Sequence, residues 1–148
     1  MQLKCEIITQ ERLVYSEDVD IVMVRGVEGE MAILPRHAPL ITPLDYGEVK
    51  VRRTGQEESF AVGGGVLQVA NNRVRILAES AEQAEEIDLA RAEEARRRAE
   101  KMMAEGAPED PNALAALEAA IRRADVRLKV GAKRRRNTPG GLPRSGQE

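Results

Sequence analysis

The spacing of the apolar residues changes once along this chain, near Glu82, and this change most constrains the fold. Before it, short runs alternate apolar and polar side chains, as in residues 3–7, a period of two that is typical of strands with one buried face. After it, alanine, glutamate and arginine dominate, and all three favour helices. The sequence therefore predicts an α+β fold, with an N-terminal antiparallel β-sandwich or flattened barrel over residues 1–84 and a C-terminal antiparallel two-helix hairpin over residues 85–130.

Three stretches of the strand region predict local geometry. Asn71-Asn72 separates two alternating runs and predicts a two-residue hairpin turn, because asparagine tolerates the positive φ that such a turn requires. The glycines at 63–65 resemble a phosphate-binding loop, but a strand follows them where a helix is required, which favours close packing or a bulge at a sheet corner. The alternation over residues 19–24 predicts that the apolar residues at its odd-numbered positions share one face of a strand.

Breakers divide the helical region into two segments. Gly106 and Pro108 interrupt it, and Asp110 offers an N-cap with Pro111 at the first helical position. Apolar residues then recur every three or four positions and form one narrow seam, Leu114, Leu117, Ile121, Ala124 and Leu128. The residues of the first helix that we expect to face this seam are Ala92, Ala95, Ala99 and Met102. Because alanine buries little apolar area, we expect a hairpin with little stability to spare, as a conformational switch requires.

The charges nearly balance, with 23 lysines and arginines against 25 aspartates and glutamates, so we expect no global attraction to nucleic acid. The last residues differ from the rest, because 131–148 are basic and contain prolines and glycines. We expect a basic disordered tail there, and contact with RNA, lipid or an acidic protein surface is the alternative.

This chain lacks the sequence patterns that are typical of several classes of protein. No run approaches the roughly 20 apolar residues of a membrane helix, and the first residues lack the apolar segment of a signal peptide, so we expect a cytosolic protein unless a partner holds it at a membrane. One cysteine and one histidine make up neither a disulfide nor a metal cluster. No Ser/His/Asp or Cys/His arrangement stands out, so we expect the isolated chain not to be an enzyme.

Four arginines of the predicted hairpin form a candidate anion site. On each helix two of them share a face, and they are Arg91, Arg98, Arg123 and Arg127. With the turn between residues 103 and 112, we expect Arg127 to be level with Asp88 and Arg123 to be close to Ala92. Converging guanidinium groups suit a polyphosphate, whereas a solvated helix face is the alternative interpretation.

Three motifs resemble those of one protein family. GEMAILPRHAPLITPL from Gly29 onward is similar to the ILPGHAPLLT signature of the epsilon subunits of F-type ATP synthases, with Arg36 where the family usually has glycine. The stretches VGGGVLQV from Val62 and IDLARA from Ile87 match two further motifs of that family in the same order. The resemblance covers residues 1 to about 130.

The resemblance implies a non-catalytic subunit of the central stalk, or rotor, of a complex that makes ATP from ADP and phosphate using a transmembrane proton gradient. Its implied partners are the gamma subunit, the c subunits of the membrane rotor ring and the beta subunit of the catalytic head, with no nucleic acid and no insertion into the membrane. Its implied location is peripheral, on the cytoplasmic face of the bacterial plasma membrane. The residues implied to contact the ring and gamma are Glu30, Arg36, His37, Ala38 and Pro39.

For the hairpin, the resemblance implies that ATP is a regulatory ligand, with no required cofactor and no metal, and that ATP favours the compact state over one that inhibits hydrolysis. The implied nucleotide-binding residues are Glu82, Ile87, Asp88, Ala90, Arg91, Arg98, Arg123 and Arg127. The residues expected to contact the beta subunit are Arg96, Arg97, Lys101 and Arg122. Two other functions are alternatives: a free-standing ATP-binding sensor module and a basic-tailed nucleic-acid adaptor.

Overall fold

The computed structural model describes residues 1–137, with side chains through residue 133. The chain divides after Gln83 into two compact units, which we call the β unit and the helical unit. This boundary lies one residue from the change at 84/85 that the sequence predicts. Strands followed by helices confirm the predicted α+β fold.

The β unit contains eight strands that form a sheet without closing into a barrel. Their bounds are β1 Leu3–Ile8, β2 Leu13–Val19, β3 Ile21–Gly26, β4 Gly29–Ile33, β5 Leu40–Arg53, β6 Gln56–Ala70, β7 Arg73–Ala78 and β8 Ala81–Gln83. The strand order is β2-β1-β7-β6-β5-β3-β4, with β8 also paired to β6. All neighbours are antiparallel except β1 and β7, which run parallel, so the sheet is mixed rather than wholly antiparallel as expected.

The glycines at 63–65 mark the place where β6 changes partner. The strand pairs with β8 up to Val62 and with β7 from Gly65 onward. Gly64 and Gly65 have positive φ, and a Cβ on Gly65 would meet the carbonyl oxygen of Leu77. Only residues without a side chain allow this close passage, so the prediction of close packing at a sheet corner is confirmed.

The core of the β unit is aliphatic and closely spaced. Its only aromatic pair is Tyr15 and Phe60, whose ring centroids lie 5.1 Å apart at 65°, an edge-to-face arrangement that aromatic rings prefer. Each fully buried aliphatic or aromatic side chain contributes about 1.5–3 kcal/mol. The largest fully buried side chains are Phe60, Leu3, Ile7, Ile33, Leu67 and Ile76.

The alternation over residues 19–24 spans a break between two strands. Val19 ends β2 and is buried, but within β3 the buried residues are Val22 and Val24, whereas Ile21 and Met23 are half-buried. The prediction that the odd positions share one face of a strand was therefore wrong.

Asp20 causes that break. Its backbone N–H donates to the carbonyl oxygen of Arg52 (2.7 Å). Its carboxylate accepts hydrogen bonds from the Thr54 N–H (2.8 Å) and the Gln2 amide (3.2 Å). These bonds lower the pKa of the Asp20 carboxyl, because they stabilise its charged form.

The connection between β6 and β7 is the two-residue turn that the sequence predicts. Asn71 and Asn72 both have positive φ, 53° and 58°, and Ala70 pairs with Arg73 on either side of them. Primed turns of this kind match the twist of the strands they join.

The helical unit begins with a single 3₁₀ turn, Ala84–Glu86, and continues with α1, Leu89–Ala104, and α2, Pro111–Asn137. Asp88 caps α1 by accepting a hydrogen bond from the Arg91 N–H (3.1 Å). At the start of α2, the Asp110 carboxylate accepts from the Asn112 N–H (3.0 Å), as expected for an N-cap followed by proline. No helix within residues 1–137 is long and apolar enough to cross a bilayer.

The two helices pack through small residues. Ala92 and Ala99 of α1 are buried, and so are Leu117, Ala124 and Val130 of α2. Ala95 is half-buried as expected, but Met102 is 51% exposed and Met103 is half-buried in its place. In a helix with 3.6 residues per turn, a position four beyond Ala99 stays closer to this seam than one three beyond it.

Helix α2 is longer than the sequence predicts. The expected hairpin ends at residue 130 and the expected tail begins at 131, yet α2 continues to Asn137. Gly131 is buried where a Cβ would contact Leu89 and Ile87, so packing against the start of α1 extends the helix. The rest of the expected tail, residues 138–148, lies outside the described residues.

Candidate functional site

One ion pair between the helices shows the register of the hairpin. The Arg96 guanidinium contacts the Asp125 carboxylate at 2.6 Å and the Glu100 carboxylate at 3.4 Å. Because the helices run antiparallel, Arg98 and Arg123 are then level with each other. Arg127 lies between Arg91 and Arg98 along the hairpin.

This register differs from the predicted one by five to six residues, which is about one and a half helical turns. We expected Arg127 to be level with Asp88, but Gly131 is the residue that contacts Leu89, directly after Asp88. Arg127 is therefore level with the second turn of α1. The sequence could not show this shift, because it depends on which small residue of α2 packs against the start of α1.

The four arginines share one flank of the hairpin. Arg91 and Arg98 each precede a buried alanine of α1 by one residue, and Arg123 precedes the buried Ala124 of α2. Since each residue of a helix turns by about 100°, these positions lie on the side opposite the Arg96–Asp125 ion pair. We call this surface the arginine face, defined by Arg91, Arg98, Arg123 and Arg127.

Three residues of the arginine face, Arg91, Arg98 and Arg123, have exposed side chains. Arg98 pairs with Glu94 at 2.6 Å, and both side chains are 66% exposed, so the pair is weak and readily displaced. Within the described part of the chain, the side chains of Arg91 and Arg123 form no ion pair, and both are exposed. Adjacent guanidinium groups with spare donors attract an anion that accepts several hydrogen bonds.

The other residues of the predicted nucleotide site lie in different surroundings. Asp88 uses one carboxylate oxygen to cap α1, which leaves its other oxygen for a ligand. Ile87 is half-buried beside Gly131, and Ala90 is exposed. Glu82 lies in β8 of the β unit, opposite Ala61 of β6.

The residues predicted to contact a beta subunit fall into two groups. Arg97, Lys101 and Arg122 are exposed and each lies two residues from a buried alanine, which directs it away from the seam. Arg96 is engaged in the ion pair with Asp125. Reaching a partner would require Arg96 to leave that pair.

The segment after β4 forms a tight turn. The His37 N–H donates to the carbonyl oxygen of Leu34 at 3.1 Å, which closes a four-residue turn with Pro35 in its second position. Arg36, in the third position, has φ 67°, and its N–H donates to the Asn72 side-chain oxygen at 2.9 Å. Positive φ at the third position is the geometry of a type II turn, which favours glycine.

The backbone conformation at Arg36 therefore suits glycine. Glycine is the usual residue at this position in the family that the sequence resembles. Its side chain is exposed, as are Ala38 and Pro39. The His37 ring nitrogen Nδ1 lies 2.7 Å from the Ala38 carbonyl oxygen. The turn thus presents a cation on a fixed loop.

Glu30, the remaining predicted contact residue, lies in β4, near the end of that strand opposite to the Arg36 turn. It pairs with Arg25 across β3 and β4, where the Arg25 guanidinium is 3.7 Å from an exposed carboxylate. Glu30 is next to the start of β4, whereas the Arg36 turn follows its end. Because a strand advances about 3.3 Å per residue, the length of β4 separates Glu30 from the Arg36 turn.

A groove beside the Arg36 turn was not anticipated from the sequence. It has a volume of about 730 Å³. Its lining residues are Pro39, Leu40, Ile41, Gln68, Val69, Ala70, Asn71, Arg73 and Arg75. The one signal of this groove in the sequence is Ile41, an apolar residue at an exposed position of an alternating strand. That signal can be interpreted only when the pairing of β5 with β6 is known.

Other chemically active groups do not assemble into a site. Burial raises the pKa of the Cys5 thiol to about 12, with a smaller contribution from Glu6, so the thiol stays protonated. Burial and the nearby Glu58 carboxylate raise the pKa of Tyr15. Within residues 1–137, no three His, Cys, Asp or Glu side chains are grouped to hold a metal ion.

Comparison with known families accounts for both units. Residues 2–84 match the model of the ATP synthase delta/epsilon chain β-sandwich domain, and residues 85–131 match that of the long α-helix domain of the same chains. The chain belongs to the ATP synthase delta/epsilon chain family. The predicted resemblance is thereby confirmed.

Bacterial relatives align along most of the chain. The ATP synthase epsilon chain of Dehalococcoides mccartyi is 56% identical over 137 residues, which cover 92% of this chain and 96% of that one. The epsilon chain of Herpetosiphon aurantiacus is 49% identical over 137 residues, covering 93% and 98%. The family assignment therefore applies to both units.

Solved structures share the fold. A chain of the Euglena gracilis mitochondrial ATP synthase superposes with a TM-score of 0.73 at 24% identity, covering 88% of this chain and 81% of that chain. A chain of the central stalk and c-ring of the Tetrahymena thermophila mitochondrial ATP synthase gives 0.58 at 13% identity, covering 88% and 97%. At these identities the likeness establishes the fold alone.

Proposed function

We propose that this chain is a non-catalytic rotor subunit of a bacterial F-type ATP synthase. In this role it couples rotation of a membrane ring to ATP synthesis in the catalytic head. The observation that carries the proposal is the match of both family domains, in order, to the β unit and the helical unit. The family's relatives are named epsilon chains of ATP synthases.

In this proposal the β unit binds the gamma subunit and the c subunits of the ring. The complex is driven by protons and holds the chain at the cytoplasmic face of the plasma membrane. The fixed turn at Arg36 and the exposed Glu30 supply contacts of opposite charge at the two ends of β4. Charged residues at the rim of an interface set its specificity and rate of assembly more than its affinity.

The helical unit is the regulatory part of the proposal. ATP binds the arginine face with its phosphates, and Asp88 contacts the base or ribose. A ligand that binds only the compact hairpin stabilises it in proportion to the logarithm of its concentration over its dissociation constant. When ATP is low, the hairpin opens and contacts the beta subunit, which blocks hydrolysis.

Two observations support the regulatory role. Arg91 and Arg123 of the arginine face offer spare donors on exposed side chains, and the ion pair between Arg98 and Glu94 is weak. The buried residues that α1 contributes to the seam are alanines, Ala92 and Ala99, so opening the hairpin exposes little apolar area on that helix. The free-energy difference between the compact and open states is therefore small enough for a bound ligand to control.

Reconstitution tests the rotor assignment. A bacterial ATP synthase stripped of its own epsilon chain is incubated with this chain, and ATP-driven proton pumping is measured in vesicles. We expect the chain to assemble stoichiometrically and to restore pumping. Failure of the folded chain to assemble with the complex would overturn the assignment.

Calorimetric titration of the full chain with ATP tests the sensor role. We expect saturable binding that Arg123→Ala and Arg127→Ala each weaken by about ten-fold, because each removes charge-assisted hydrogen bonds. Arg97→Ala is the matched control, since Arg97 is exposed on α1 but lies off the arginine face. No binding up to millimolar ATP, or equal losses in all three variants, would contradict this role.

A further inference from the structure

Strand β8 is short, and it is the last strand before the helical unit. It contains three residues, Ala81–Gln83, and pairs with residues 60–62 of β6. Gln83 is followed directly by Ala84, the first residue of the helical unit. The strand and the helical unit are therefore continuous along the chain, and β8 fixes the point at which the helical unit is attached.

Apolar packing contributes little to holding β8 on the sheet. Ala81 is buried, but alanine buries little apolar area. Glu82 and Gln83 are half-buried and polar. A segment with few buried apolar groups opens locally at a lower free energy than the core strands do. A polar contact can therefore decide whether β8 stays paired.

The Glu58 side chain supplies such a contact and joins β8 to β2. One carboxylate oxygen accepts a hydrogen bond from the Gln83 amide (3.3 Å), and the other accepts one from the Tyr15 hydroxyl (3.3 Å). Because burial and the Glu58 carboxylate raise the pKa of Tyr15, the hydroxyl stays protonated and donates. We call these three residues the Glu58 cluster, defined by Tyr15, Glu58 and Gln83.

The register of β8 places the Gln83 amide where it needs this partner. Gln83 pairs directly with Phe60, and directly paired residues point to the same side of a sheet. Phe60 is fully buried, so Gln83 points to the core side. An amide there that loses its hydrogen-bond partner destabilises the paired state of the strand.

The segment just before β8 has a separate anchor. The Gly63 N–H donates to the Ser80 carbonyl oxygen (2.9 Å), and the Glu79 N–H donates to the Gly64 carbonyl oxygen (3.0 Å). These bonds do not involve residues 81–83, so they can persist when β8 leaves the sheet. Release then stops at Ser80 and frees the three residues of β8, which span about 10 Å when extended.

We propose that the Glu58 cluster is a latch that holds β8 on the sheet, and that release of β8 lengthens the connection to the helical unit when the hairpin opens. In the latched state the helical unit begins at the edge of β6. In the released state it gains about 10 Å of reach. The proposal rests on the proposed function in one respect, because this reach serves the contact of the open hairpin with the beta subunit.

Amide hydrogen exchange in the ¹⁵N-labelled full chain tests the latch without any partner. We expect Glu58→Gln to speed exchange of the β8 amides by about ten-fold and Tyr15→Phe by about five-fold, because each breaks a hydrogen bond of the cluster. Glu57→Gln is the matched control. It neutralises the neighbouring carboxylate, which is exposed and bonds to Arg52, and it should leave exchange in β8 unchanged.

The amides of Val74 and Ile76 in β7 distinguish local release from a general loss of stability. Both residues are fully buried, and in the two cluster variants their amides should exchange as slowly as in the original chain. Equal acceleration in β7 and β8 would show that Glu58 stabilises the whole sheet. Unchanged exchange in β8 would show that Glu58 does not hold the strand, and either result would overturn the proposal.

A cross-link tests whether the release of β8 serves the hairpin. Ala61 and Glu82 pair directly, at a separation that a disulfide can bridge. The full chain with Ala61→Cys and Glu82→Cys is added to an epsilon-depleted ATP synthase, and ATP hydrolysis at low ATP is measured before and after reduction. We expect the reduced form to inhibit hydrolysis about two-fold more than the oxidised form, because only the reduced form can release β8. Equal inhibition by the two forms would contradict the proposal.

The two proposals fail in different ways. If the original chain does not assemble with the complex, the rotor assignment fails, and hydrogen exchange still decides whether the latch exists. If the original chain assembles and inhibits but the oxidised cross-linked chain inhibits equally, the proposed function stands and the role of β8 release is wrong.

Discussion

The two units of this chain bury their apolar residues by opposite means. The β unit fills its core with branched aliphatic residues and one aromatic pair, held by a sheet whose strands are far apart in sequence. In the helical unit, three of the buried residues between the helices are alanine, Ala92, Ala99 and Ala124. The difference shows that a tightly packed unit and a loosely packed one can follow each other in one short chain.

The difference also separates the two proposed roles. A partner surface such as the Arg36 turn needs side chains at fixed positions, which a deep core provides. A sensor needs two states that differ by little free energy, which a shallow interface provides.

The largest expected effect comes from truncating the core of the β unit. Phe60→Ala should destabilise that unit by about 3–5 kcal/mol, because it removes a fully buried ring and leaves a cavity. Thermal unfolding followed by near-ultraviolet circular dichroism, which reports the environment of tyrosine, measures this effect. A loss below about 1 kcal/mol would break the comparison, since the β unit would then be as loosely packed as the hairpin.

A smaller loss is expected for the equivalent truncation in the helical unit. Leu117→Ala should cost about 2 kcal/mol, at the low end for a leucine, because its surroundings are shallow and can collapse. Far-ultraviolet circular dichroism during denaturation follows the helices directly. Ala116→Gly, at an exposed position of α2, is the control for lost helix propensity alone, at about 1 kcal/mol.

The sequence predicts a structural feature well when neighbouring residues determine it, and poorly when residues distant along the chain determine it. The Asn71-Asn72 turn was predicted correctly because a two-residue connection is decided locally. The alternation at residues 19–24 gave a wrong prediction because the break between β2 and β3 at Asp20 depends on a hydrogen bond to the distant Thr54. Local spacing cannot show a contact of that kind.

The candidate sites follow the same rule. The four arginines were identified from helical spacing, but their register shifted by about one and a half turns because Gly131 packs against Leu89. The groove was missed altogether, because it joins residues 39–41 to residues 68–75 across paired strands. The parallel pairing of β1 with β7 had no signal in sequence either.

A still smaller effect should come from the ion pair that joins the helices. Asp125→Asn should destabilise the compact hairpin by only about 0.5 kcal/mol, since both side chains are about half exposed and well solvated. If ATP binds the compact state alone, calorimetry should show a slightly lower apparent affinity. A change of ten-fold or more would show that this pair, rather than the alanine seam, holds the hairpin closed.

The smallest effect should appear in the acid titration of the β unit. The Thr54 N–H and the Gln2 amide lower the pKa of Asp20 in the folded state below its ordinary 3.8. A lowered folded pKa contributes stability that is present above pH 3.8 and is lost as the pH falls further. Asp20→Asn should therefore flatten the dependence of melting temperature on pH below that value, and an unchanged slope would show that other carboxylates dominate.

The parallel pairing of β1 with β7 has a consequence for how the chain is made. Residues 4–8 find their partners in β7 only when residues 73–77 have been synthesised. At about 5–20 residues per second, that wait lasts several seconds on the ribosome. During it the β1–β2 hairpin presents an unpaired edge rich in leucine and isoleucine. A nascent chain stalled before residue 73 should therefore recruit a chaperone, whereas one released after residue 83 should not.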